Sequence, residues 1–190
     1  MKNTIYKIIG IVLLTVQMAH AQSARMFLKG SEILAETVTS GYSGGAGDYI
    51  EIWNVNYSTI NNKLITTVPF LNNPNTRATS GVLSFTKYKS KNSRIFQEKI
   101  VKGIHFATMQ IAFAKAIPNS NPLYQTYLNY KMTDIFVVSI KDSGEFTETI
   151  ELVMKNIYMD YKPTNPQSGQ LGTSITYGWN FATGVFWNGI

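Results

Sequence analysis

The chain has 190 residues, no cysteine, and 17 Lys+Arg against 11 Asp+Glu, a formal net charge of +6. That length suits one domain with a real core. Aromatic residues at 13% exclude a disordered chain, and the absence of cysteine excludes disulfides, thiolate metal sites and a cysteine nucleophile. Only 15% of residues are charged, so Thr, Ser, Asn, Gly and Tyr must supply most of the polar surface.

The first segment reads as a secretory leader: Lys2 and Lys7, then an apolar run over 8–16, then Ala19-His20-Ala21. The apolar run is shorter than the ~20 residues a membrane-spanning helix needs. Cleavage is expected between Ala21 and Gln22, giving a leader over 1–21 and a single domain over 22–190. No integral membrane segment is expected after cleavage, and the expected destination is the periplasm or the extracellular space. The leader holds two basic residues and no acid, which leaves 15 against 11, net +4. Those charges are scattered. Lys87, Lys89 and Lys91 form the one tight cluster, read as a solvated strand end, and no nucleic-acid stripe is present.

Beyond the leader, period-two alternation separated by turn residues predicts an antiparallel β protein. A short strand is expected over 26–29, and a flexible glycine-rich loop over 41–47. The strand over 49–60 puts Trp53, Val55 and Tyr57 on one face and Ile50 and Ile52 on the other. Residues 61–80 break the pattern with Asn pairs, Pro69 and Pro74, and carry an apolar patch of Val68, Phe70 and Leu71. A loop of that length in a compact domain is commonly functional, and its patch either folds back or meets a partner.

A strand over 82–88 leads into the one convincing helix, over 92–102, with Asn92 as N-cap and Gly103 as stop. Ile95, Phe96, Ile100 and Ile104 form its apolar stripe. Strands follow over 106–116, 124–140 and 147–161, the last two joined by a turn at Lys141-Asp142-Ser143-Gly144. In the strand over 147–161 the parity of the apolar residues slips, which predicts a β-bulge near Lys155-Asn156. The last strand is expected over 174–181, and the tail ends with Phe186 and Trp187. About eight strands and one helix make a closed barrel or tight sandwich.

No catalytic constellation stands out, and neither metal nor cofactor is expected. His105 is the lone histidine after the leader, which leaves a metal site or a Ser-His-Asp triad without members. Glu148 and Glu151 stand three apart on a strand and point to opposite faces, so they cannot share one glycosidic bond. The loop over 41–47 lacks the Gly-Lys-Ser/Thr ending of a phosphate loop and precedes a strand. Trp53, Tyr57, Trp179 and Trp187 could form a sugar platform, although core packing more often explains strand aromatics. A non-enzymatic binding or assembly module is the reading that remains.

Five motifs in order carry a resemblance: Met26-Phe27-Leu28-Lys29, Leu83-Ser84-Phe85-Thr86-Lys87-Tyr88 leading into the helix, and Thr133-Asp134-Ile135-Phe136-Val137-Val138-Ser139. The fourth runs over 148–163 and ends Tyr158-Met159-Asp160-Tyr161-Lys162-Pro163, and the fifth is Tyr177-Gly178-Trp179-Asn180. From Arg25 to Phe181 the chain resembles the Hcp family, the tube-forming proteins of type VI secretion systems. The resemblance implies a mainly β fold, an antiparallel β-barrel of two packed sheets with one short helix. It implies hexameric rings that stack into a tube able to carry effectors, with self, secretion-machine components or cargo as partners. No catalytic residue is implied. The family's protruding loop falls at 61–80, so stacking would bury Val68, Phe70 and Leu71. The leader is an addition, since the family's inner-tube members are assembled in the cytoplasm. The alternative is a secreted monomeric β-barrel that binds a glycan or protein.

Overall fold

The computed structural model describes residues 24–36, 42, 49–59, 80–117, 120, 123–165 and 167–189. The expected leader, its cleavage point between Ala21 and Gln22, and the apolar residues Val68, Phe70 and Leu71 lie outside the described residues. The described elements are β1 (Arg25–Gly30), β2 (Ile50–Tyr57), β3 (Leu83–Tyr88), α1 (Lys91–Lys102), β4 (Phe106–Ala116), β5 (Tyr124–Asp142), β6 (Thr147–Tyr161), β7 (Ile175–Asn180) and β8 (Val185–Phe186).

The strands form one antiparallel sheet in the order β3-β2-β1-β4-β5-β6-β7-β8, and β3 also pairs with β6. That extra pairing closes β3 through β6 into a barrel and leaves β7 and β8 as a wing. The expected antiparallel barrel with one helix is therefore what forms. Its opposite walls, two packed layers, belong to one curled sheet. β6 makes this possible by its length. Residues 147–152 close the barrel against β3, residues 156–161 hold β7, and β5 pairs along the other edge. Alternation supplies the buried face: Glu148, Ile150, Leu152 and Met154 point inward.

The ladders shift register at Trp53/Asn56, Phe113/Ala114 and Val137/Ser139, and two residues take a positive φ in mid-strand. Asn54 adopts φ 52°, and the β2–β3 register shifts between Trp53 and Asn56. Asn tolerates this left-handed conformation better than most residues. Ile50 and Ile52 face the core before the bulge, and Val55 and Tyr57 pack against it afterwards. The expectation that Trp53, Val55 and Tyr57 share a face is corrected accordingly. The second irregularity is Asp134, φ 51°, which neither neighbouring ladder uses as a register partner. The bulge expected at Lys155-Asn156 is not there, because β6 keeps its register with β5 and with β7 through those residues. The kink sits in the facing strand, and Asn156 and Ile157 are both buried.

Helix α1 plugs one end of the barrel. Phe96 is fully buried between Phe85 and Phe106, with ring centroids 6.1 and 5.3 Å away. Ser90, not Asn92, is the N-cap: its hydroxyl accepts from the Asn92 N–H at 3.3 Å, and its own N–H donates to Ser93 Oγ at 2.9 Å. Asn92 is buried in the first turn and ties down the chain after β1. Its Oδ1 accepts from the Leu34 N–H, and its Nδ2 donates to Leu34 O and Glu36 Oε1, all within 2.8 Å. Gly103 ends the helix in the left-handed region, φ 64°. Ile104 lies past that stop and stays exposed, so it leaves the expected stripe. Lys99 takes a buried place instead, its Nζ bonded to Glu32 at 2.6 Å and to His105 O at 3.1 Å.

A second, smaller core sits on the outer face of β1 and β4. Of the predicted loop 41–47 only Tyr42 is described. It stacks on Phe27 with centroids 4.1 Å apart, meets Tyr49 edge-on, and its hydroxyl lies 3.1 Å from Thr126 Oγ1. The expected last strand is shorter at both ends, and the tail adds β8, which pairs Phe186 with Trp179.

Candidate functional site

The chemical candidates do not converge. His105 Nε2 lies 3.4 Å from Asp134 Oδ1, and Lys155 Nζ lies 3.5 Å from the other oxygen of that carboxylate. This group sits half-exposed on the wall beside Phe136 and includes no nucleophile. Among the described residues, no three His, Cys, Asp or Glu are grouped to hold a metal. Glu148 and Glu151 do face opposite ways. Glu151 pairs outward with Lys141 at 3.0 Å, and Glu148 points into the barrel seam.

At that seam Lys87 and Glu148 are cross-strand partners of β3 and β6 and form a salt bridge of 3.0 Å with side chains 2% and 5% exposed. The Lys87 ammonium also donates to Tyr88 O, Ser90 Oγ and Ser93 Oγ, and the Ser93 hydroxyl donates to Glu148 Oε1 at 2.7 Å. One network therefore bolts the closing ladder to the helix N-terminus. The solvated-strand-end reading of the lysine cluster is corrected for Lys87, while Lys89 pairs with Asp142 at 3.1 Å and Lys91 donates to Ala35 O. The signal that could have found this pair is parity. Lys87 is in phase with Leu83 and Phe85, and Glu148 with Ile150 and Leu152.

The four candidate platform aromatics are dispersed. Trp53 lies against Tyr88 outside the barrel, Tyr57 meets Tyr130 inside, Trp179 packs on the core, and Trp187 meets Tyr158 edge-on.

An apolar surface is exposed at the far end of the barrel and its wing. Cross-strand pairing aligns Ile111, Tyr130, Met159 and Tyr177 in one row and Phe113, Leu128, Tyr161 and Ile175 in the next. On β4 this face is core; on the wing it meets solvent, with Ile175 63%, Tyr177 52% and Tyr161 43% exposed. Burial pushes the phenol pKa of Tyr57, Tyr127 and Tyr130 above the ordinary tyrosine value. β8 pairs with only Trp179 and Asn180, so residues 175–177 have no ladder partner on that edge among the described residues. Gly178 keeps the tail seated. A Cβ there would stand 1.8 Å from Trp187 O, whose residue donates its N–H to Gly178 O at 3.2 Å.

Residues 29–161 match the family profile described as "Type VI secretion system effector, Hcp". The chain belongs to the Hcp family. It is 27% identical over 108 residues to Protein hcp1 of Pseudomonas aeruginosa, an alignment covering 54% of this chain and 65% of that relative. The chain thus spans just under two thirds of the length of the curated relative it matches. Among solved structures it is similar to "Structure of a type six secretion system protein", TM-score 0.69 at 21% identity, covering 87% of this chain and all of that one. It is also similar to Hcp1 from Salmonella typhimurium, TM-score 0.64 at 19% identity, covering 86% and 99% of the two chains. These likenesses establish the Hcp fold. No helix among the described residues is long and apolar enough to cross a membrane.

Proposed function

We propose that this chain is an exported Hcp-type structural protein that assembles into hexameric rings, which stack into a tube and carry effectors. The observation that carries the reading is the wing. An Hcp barrel ends in a sheet edge with Tyr161, Ile175 and Tyr177 exposed on the continuation of its core face. Ring closure needs a heterologous contact, one surface of a subunit against a different surface of the next. Exposed tyrosines beside a free strand edge are suited to such a contact. In this reading Val68, Phe70 and Leu71 are buried between stacked rings, and the leader is removed between Ala21 and Gln22.

The test is native mass and negative-stain imaging of residues 22–190. Six-fold rings are the expected result, and a monomer at high concentration would overturn the ring. Deleting residues 68–71 should leave rings that no longer stack; normal stacking would remove the loop from the contact. The mass of the exported protein should begin at Gln22, and a retained residue 1 would refute cleavage.

A further inference from the structure

We propose that Asn188 is a deamidation site, where the chain converts an asparagine to aspartate and isoaspartate without an enzyme. The site depends on neither ring formation nor the leader. The reaction is intramolecular. The Gly189 backbone nitrogen, once it has lost its proton, attacks the Asn188 side-chain carbon Cγ. The N–Cγ bond forms, the Cγ–Nδ2 bond breaks, and ammonia leaves. Water then opens the cyclic imide at either carbonyl, giving aspartate or its β-linked isomer. In sum, water is consumed and ammonia is released. The attack needs an amide nitrogen unscreened by a side chain, an asparagine side chain free to turn, and a backbone free to bend towards it.

Asn188-Gly189 is the one Asn-Gly pair in the sequence. Asn188 is exposed, and among the described residues neither its amide nor the Gly189 N–H takes part in a hydrogen bond. Packing explains why glycine stands there: φ is 78°, and a Cβ would lie 3.1 Å from the Tyr158 ring. The structure holds back the other described asparagines. Ser93 is the least hindering neighbour after glycine, yet its N–H donates to Ser90 O at 3.0 Å. The Asn92 amide before it is buried and bonded at both ends. The Phe181 N–H donates to Lys155 O at 2.9 Å, and Asn180 Oδ1 accepts from the Ala182 and Thr183 N–H groups. Asn165 precedes Pro166, which has no N–H to lose. Asn54 and Asn156 precede the β-branched Val55 and Ile157, and Asn56 and Asn129 precede Tyr57 and Tyr130, all within strands. Conversion at Asn188 places a carboxylate, charged at neutral pH, in a tail whose Trp187 meets Tyr158 edge-on.

The test is to hold the full-length protein in mildly alkaline buffer, sample it over time, and locate mass changes by peptide fragmentation. A gain of about 1 Da at Asn188, split between two separable products of equal mass, is expected before any other asparagine converts. The same time course on protein unfolded in guanidinium reads the chemistry without the fold. Asn188 should convert at nearly the same rate in both samples, whereas Asn92 should convert in the unfolded sample alone. Asn188→Gln should remove the gain from the C-terminal peptide, because the longer side chain closes its ring far more slowly. No gain at Asn188 in the folded protein, earlier conversion of another asparagine, or an equal gain in the glutamine variant would overturn the site. So would a folded-state rate far below that in guanidinium, since the fold would then protect the tail.

Discussion

At the helix-bearing end of the barrel the buried polar groups are paired. Lys87, Glu148, Ser90 and Ser93 satisfy one another, Asn92 uses both ends of its amide, and Lys99 reaches Glu32 and His105 O. At the far end and wing, Trp179 Nε1, Asn129 Oδ1 and Asp160 Oδ1 are buried without a hydrogen-bond partner among the described residues. Ile175 and Tyr177 stand in solvent nearby. An orphaned buried polar group costs about 1–3 kcal/mol. One end is therefore satisfied in its hydrogen bonding, and the other carries both that cost and an exposed apolar surface. The contrast separates residues that hold the fold from residues that, in the proposed reading, meet a neighbouring copy.

Mutations should separate them in the same way. Phe96→Ala removes the helix from its seat between Phe85 and Phe106 and should cost about 3–5 kcal/mol in denaturant unfolding. A loss under ~1 kcal/mol would show that the helix does not plug the core. Lys87→Met alone leaves Glu148 buried without its cation and should cost a similar ~3–5 kcal/mol. Lys87→Met with Glu148→Leu should restore most of that loss, as shape-matched apolar replacements of buried pairs do. Equal destabilisation by the single and double variants would mean that the seam does not depend on charge pairing.

Smaller effects follow at the helix end. Gly103→Ala forces a Cβ into the left-handed region and should cost ~1 kcal/mol, read as a lower melting temperature. Nothing lies within 4 Å of that Cβ, so the loss is backbone strain alone. At the wing, Tyr177→Ser should change monomer stability by no more than ~0.5 kcal/mol and yet abolish rings in the native-mass assay. Rings that survive it would move the contact elsewhere. The smallest effect at neutral pH is titration of the tyrosine group. Tyr57 and Tyr130 have raised pKa values, chiefly through burial. Their protonated forms favour the folded state, so that stability is whole below pH ~10 and is lost as pH rises through the folded values. Melting temperature followed with tyrosinate absorbance should show it, and Tyr57→Phe with Tyr130→Phe should blunt the alkaline loss.

Much of the architecture was legible because alternation is a direct record of which face is buried. β4 and β6 match the expected ranges at both ends, and α1 differs by one residue at its start. What alternation does not carry is where the backbone departs from it. Asn54 and Asp134 take positive φ in mid-strand, and nothing in their neighbours marks them out from other Asn and Asp residues. The parity slip in β6 was visible, but its cause lies in β5, a partner that sequence order does not reveal. Lys87 reads as a surface residue by charge and as a core residue by its phase with Leu83 and Phe85, and the structure follows the phase.

The length of β6 also has a mechanical meaning. It is held along one edge by β5, from Leu128↔Tyr161 to Asp142↔Glu148, and along the other by β3 and then β7. Its ladder hydrogen bonds run perpendicular to the strand. A pull along β6 therefore loads many bonds in parallel, and they must fail together. A pull on the tail meets β8 first, where two residue pairs open one after the other. Under tension the chain should shed its C-terminal residues at low force and keep the barrel closed to a much higher one.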